Sequence, residues 1–173
     1  MVFDVPELKK AVQELAFDVQ HFRCYVQLYK KPKLRQVCPA AYQAVIYSLL
    51  LHLRVLLDFF YGPPKKDDCW VRHFSVLPEF SAAFPSKILS PAPHEARELS
   101  LTLHKRLAHL TATRWEKPPR SMDYYEQYFD GINTLIDQFT AALPTDNQND
   151  FPGRSSKMGG ESPTHHLDQT PNA

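Results

Sequence analysis

The chain has 173 residues, the size of one ordinary domain, with 20 Lys and Arg against 19 Asp and Glu and a formal net charge of +1. That length buries a core without staples, and that charge leaves no electrostatic footprint of a dedicated nucleic-acid binder. Three cysteines without a CxxC spacing exclude a disulfide framework and a zinc knuckle, and MVFDVPELKK at the N-terminus has no basic-then-apolar leader pattern; a cytoplasmic setting is expected.

The first helix is expected over about 5–30. Asp4 and Glu7 have capping-box spacing, and Pro6 suits a first turn. Leu8, Val12, Leu15, Val19, Phe22, Val26 and Tyr29 alternate at fours and threes, the seam of a helix packed lengthwise. The stretch KKPKLRQVCP (30–39) reads as a solvated connector, with a phosphate-contacting patch as the alternative. A second helix over 40–61 is apolar nearly all round, as in the most buried member of a bundle; His52, Arg54 and Asp58 within it argue against a membrane span. Gly62, Pro63 and Pro64 stop it.

Residues 62–91 lack a long period but hold Trp70, Phe74, Leu77, Phe80, Phe84 and Ile88, predicting one or two short helices packed over one end of the core. A third helix runs over 93–114. A fourth starts near Ser121 with the stripe Tyr125, Phe129, Ile132, Ile136, Phe139 and Leu143. From Pro144 the composition is too polar to repay ordering. The expected architecture is all-α: an antiparallel four-helix bundle over 1–143 with an aromatic-rich insertion between helices two and three, then a disordered polar tail over 144–173.

The third helix, LSLTLHKRLAHLTATRW (99–115), carries the densest polar chemistry. At about 100° per residue, Ala96, Leu99, Leu103, Leu107 and Leu110 share the core face. His104 and Lys105 point away from it. Thr102, Arg106, His109 and Thr113 form a second stripe on its flank, and Arg114 returns near the helix end, where a cation suits the dipole. Such a strip is either plain solvated surface or a site where His109 moves a proton and Arg106 holds a phosphate.

HKRLAH (104–109) resembles the motif of the HEPN superfamily, small all-helical domains in which a late helix carries Arg, a polar residue, three variable positions and His. The resemblance places His109 at the His position, His104 at the Arg position and Lys105 at the polar one. It implies a dimer interface and, in active members, metal-independent RNA cleavage; His104 departs from the family's Arg, and Arg106 stands one turn away as a substitute.

Arg54 and Asp58 lie four apart, spaced for an ion pair at the rim of the core or for contact with helix three or the insertion. The chain has no Glu-x-x-His pair, Gly-rich phosphate loop or GxSxG elbow, so neither a cofactor nor a bound metal is expected. Function is expected to be non-catalytic binding of RNA or protein, as a homodimer and without a membrane. A ribonuclease using His109, Arg106 and His104 is the second reading, and a metal or small-molecule binding bundle the third. Lys105, Thr102, Thr113, Arg114, Arg54 and Asp58 are the accompanying binding candidates.

Overall fold

A computed structural model describes residues 3–62, 69–85, 92–108 and 121–151, with the backbone alone at 105, 106 and 108. All regular structure among these residues is helical, so the chain is all-α.

Helix α1 spans Val5–Tyr29 and is opened by the expected capping box: Glu7 N–H donates to Asp4 Oδ1 and Asp4 N–H to Glu7 Oε2, each at 2.9 Å. Each reciprocal bond satisfies a backbone donor that the first turn leaves without a partner. The stripe from Leu8 to Val26 is buried as its spacing requires. The basic connector is not plain coil, for residues Pro32–Val37 form α2 and Pro39–Tyr61 form α3. Its two prolines occupy first-turn positions, where the missing N–H costs nothing, so they start helices rather than only ending one. At the end of α3, Gly62 N–H donates to the Asp58 carbonyl at 2.9 Å, and a Cβ at position 62 would collide with that same oxygen.

The insertion contains a 3-10 helix, Val71–Val76, and α4, Pro78–Ala83. Its aromatic residues pack as expected. The Phe139 ring, fully buried, lies 5.1 Å from Phe74, 5.5 Å from Phe80 and 5.2 Å from Phe59. Helix α5 spans Pro93–Ala108 with Ala96, Leu99 and Leu103 sealed in the core; the expected continuation to 114 lies outside the described residues.

The fourth expected helix is broken in two, α6 over Met122–Glu126 and α7 over Phe129–Ala142. Between them Tyr128 N–H bonds the Tyr125 carbonyl, a tightened turn that keeps Tyr125 and Phe129 on the buried side. Ser121 occupies the N-cap of α6, although its hydroxyl makes no capping bond. Arg23 ties α7 to α1, donating to Asp137 Oδ1 at 2.7 Å and to Asn133 Oδ1 at 3.3 Å. Described structure runs past residue 143: α8 spans Thr145–Gln148, and Phe151 is buried against Phe139. Residues 152–173 of the expected tail lie outside the described residues.

Phe139 joins α7 to α3 and the insertion, so Phe139→Ala should cost about 3–5 kcal/mol through lost burial and the cavity left behind. Urea unfolding measures this, and a loss below about 1 kcal/mol would remove Phe139 from that central place.

Candidate functional site

Helices α1 and α5 each pack along α3 yet share almost no contact with each other among the described residues. Two helices leaning on a third in this way leave a channel over its outward face. The result is a cleft of about 740 Å³ with Val55 and Asp58 of α3 in its floor. Ala11, Glu14 and Asp18 of α1 form one wall and Arg97, Ser100, Leu101 and His104 of α5 the other. Gly62, Cys69 and Trp70 close one end.

The apolar lining is incompletely covered. Val55 is 36% exposed and Leu101 54%, and one turn along α3 from Val55 the strip continues through Leu51 at 46%. Charge is divided between the walls: Glu14 and Asp18 stand on α1 and Arg97 on α5. Arg97 and Glu14 are both exposed, and neither has an opposite charge within 4 Å among the described residues.

The other polar groups of the cleft are held in place. Arg54 Nε lies 3.6 Å from Asp58 Oδ2, the anticipated pair one turn apart, and Asp58 also reaches α5 by accepting a 2.5 Å bond from the Ser100 hydroxyl. Both expected roles of Asp58, ion pairing and contact with helix three, therefore occur together. Asp18 Oδ1 lies 2.7 Å from His52 Nδ1, so the carboxylate fixes the proton on that nitrogen. The rings of His21 and Tyr25 stack on His52 at 5.2 and 5.7 Å. Burial, with Glu14 adding to it, pushes the Cys69 thiol up to about 11, which keeps it protonated at neutral pH.

At the closed end, the Trp70 backbone N–H is 3.2 Å from His73 Nδ1 and the indole N–H 3.0 Å from Nε2. A neutral imidazole has one acceptor nitrogen and takes one of these bonds at a time; a protonated ring takes neither. Burial lowers the pKa of His73 accordingly. Arg72 sits over the Trp70 ring, 5.4 Å from its centroid.

Of the residues singled out in the sequence, Arg54, Asp58 and His104 meet in this cleft. Thr102 does not, its hydroxyl donating instead to the Glu98 carbonyl on its own helix at 2.8 Å. His109, Thr113 and Arg114 lie outside the described residues, as do the side chains of Lys105 and Arg106. No group of three or more His, Cys, Asp or Glu suited to a metal ion occurs among the described residues. Arg97 is on the third helix but precedes its polar 99–115 stretch, whereas Glu14 and Asp18 stand on the first helix. Their trace in the sequence is a second stripe on α1, with Ala11, Glu14, Asp18, His21 and Tyr25 at alternating threes and fours beside the core stripe.

No family model matches the chain, and neither a curated protein nor a solved structure matches it.

Two outcomes follow from the closed end. The folded chain resists protonation of His73, so that residue's stabilisation is complete above its ordinary pKa of 6.5 and is lost as pH falls towards the lowered folded value. Wild type should then lose more urea stability between pH 7.5 and 5.5 than His73→Gln, and equal losses would contradict this. Cys69 should also be the last thiol alkylated at pH 7.5, well after the exposed Cys24 and Cys38. Peptide mass spectrometry read over time checks the order, and early labelling of Cys69 would refute it.

Proposed function

We propose that this chain is a non-catalytic protein-binding domain whose cleft over α3 receives an amphipathic helix from a partner. The observation that carries this is the uncovered apolar strip of Val55 and Leu101 between one acidic and one basic wall, with Leu51 exposed one turn further along α3. A helix laid into such a channel buries an i, i+3/i+4, i+7 face on the strip. Its flanks complete the charges: a basic side chain towards Glu14 and an acidic one towards Arg97. That pairing fixes orientation and rejects the reversed helix more than it adds affinity.

The polar groups of the cleft support binding over catalysis. The Ser100 hydroxyl is committed to Asp58, and the Cys69 thiol is held protonated. Helix α3 is long and apolar enough to cross a membrane by length and composition, but about half of its most apolar stretch is buried in the protein. We propose with this that α1, α3, α5 and α6–α7 form an antiparallel four-helix bundle. Its support is the packing of α1 and α5 on α3 and the Arg23–Asp137 tie; residual dipolar couplings, which report helix directions, would test it.

Selection from a displayed library of helical peptides tests the docking. Winners should share the apolar spacing and carry opposite charges on their two flanks. Val55→Glu and Leu101→Glu should each weaken them about tenfold or more, since a carboxylate is buried without a partner. Both positions are exposed, so thermal unfolding should barely change. Arg97→Glu should weaken the winners, and replacing their facing acid with Lys should restore binding. Winners insensitive to Val55→Glu and Leu101→Glu would overturn the proposal, as would self-association or vesicle binding that depends on those two residues while no peptide is selected.

A further inference from the structure

A second hollow, of about 700 Å³, lies away from the α3 cleft where α1 passes into α2. Its walls include Tyr29, Lys30, Arg35, Gln36, Tyr42 and Glu126. The connector that builds it, KKPKLRQ, places Lys30, Lys31, Lys33 and Arg35 within six residues, all exposed. None has a carboxylate within 4 Å among the described residues. Clustering four cations raises their mutual repulsion, which a bound anion would relieve.

The hollow also has an aromatic wall. The rings of Tyr29 and Tyr42, both half-buried, stack at 6.0 Å with 21° between their planes. Burial, reinforced by Glu126, pushes the Tyr29 phenol up to about 12, so its hydroxyl is a neutral donor at physiological pH and does not repel an anion. A bare inorganic anion would use the cations only; it would leave the rings idle and approach Glu126 unfavourably. A phosphate ester carrying a planar, hydrogen-bonding ring uses every wall. The guanidinium and ammonium groups suit phosphate oxygens, the tyrosine rings offer a stacking face, and a carboxylate accepts exocyclic N–H groups.

We propose that this hollow binds a nucleoside phosphate, its phosphate on Lys30 and Arg35, its base against the Tyr29–Tyr42 pair and Glu126 accepting from the base. The site is independent of the α3 cleft and of the function proposed for it. The same chemistry comes from a free mononucleotide or from one nucleotide of a single strand.

Titration calorimetry of the full chain with AMP, adenosine, ribose 5-phosphate and a short single-stranded oligoadenylate is the test. AMP should bind better than adenosine or ribose 5-phosphate, because each of these satisfies only one half of the hollow. Arg35→Ala should weaken AMP about tenfold, and Tyr42→Ala by a similar factor with Tyr42→Phe close to wild type. Arg35 is exposed, so its variant tests the site even if Tyr42→Ala disturbs packing. Oligoadenylate binding that is tighter than AMP and steeper in salt would identify a strand as the source, and equal affinities the free nucleotide. Absence of AMP and oligoadenylate binding at millimolar concentration would overturn the proposal. So would AMP affinity unchanged in both Arg35→Ala and Lys30→Ala, or binding of a phosphoserine peptide without binding of AMP.

Discussion

The structure depends on one constraint, the need to cover α3. Its 23 residues are apolar around most of the circumference, and eight are buried outright, from Ile46 to Phe60. Sealing each such large side chain contributes about 1.5–3 kcal/mol relative to exposure, so the other elements are arranged to surround this helix. Helices α1 and α5 take its flanks, and the aromatic cluster around Phe139 takes Phe59 and Phe60 near its end. The outward strip is left, with exposed Val55 and Leu101 lying between Glu14 and Arg97, neither of which has an opposite charge within 4 Å among the described residues.

The polar residues of α3 show how a helix this apolar is kept in register with its neighbours. His52 is held by Asp18 of α1, and Asp58 holds both Arg54 and Ser100 of α5. Each bond is made at the edge of the core, where the desolvation cost is partial and a misplaced neighbour would leave a polar group without its partner. The two flanking helices are therefore fixed to α3 from opposite sides, which sets the width of the cleft. Gly62, Cys69 and Trp70 close its end, with Trp70 held by donating to the His73 ring.

Much of this was legible in the sequence, and the reason is periodicity. The stripes from Leu8 to Val26 and from Tyr125 to Leu143 are the buried faces of α1 and of α6–α7, because a long amphipathic helix has one way to hide its apolar side. The capping box at Asp4 is local chemistry and reads directly. Less legible was α2, since prolines among lysines look like a breaker when their first-turn position is unknown. The turn at Tyr128 interrupts α6–α7 without interrupting the apolar stripe, so periodicity carries no sign of it. The cleft was only half legible. Arg54 and Asp58 stand out as charges in an apolar helix, whereas Glu14 and Arg97 look like ordinary surface until α1 and α5 are placed on either side of α3. That juxtaposition is tertiary, and the spacing within either helix does not contain it.

Amide chemical-shift mapping of the isotope-labelled protein, titrated with an amphipathic helix selected against it, tests the central claim most directly. The account predicts shifts concentrated along Leu51–Asp58, Ala11–Asp18 and Arg97–His104, with the Phe139 cluster and the Lys30–Tyr42 end unmoved. Shifts centred elsewhere, with the α3 face unperturbed at saturation, would contradict it.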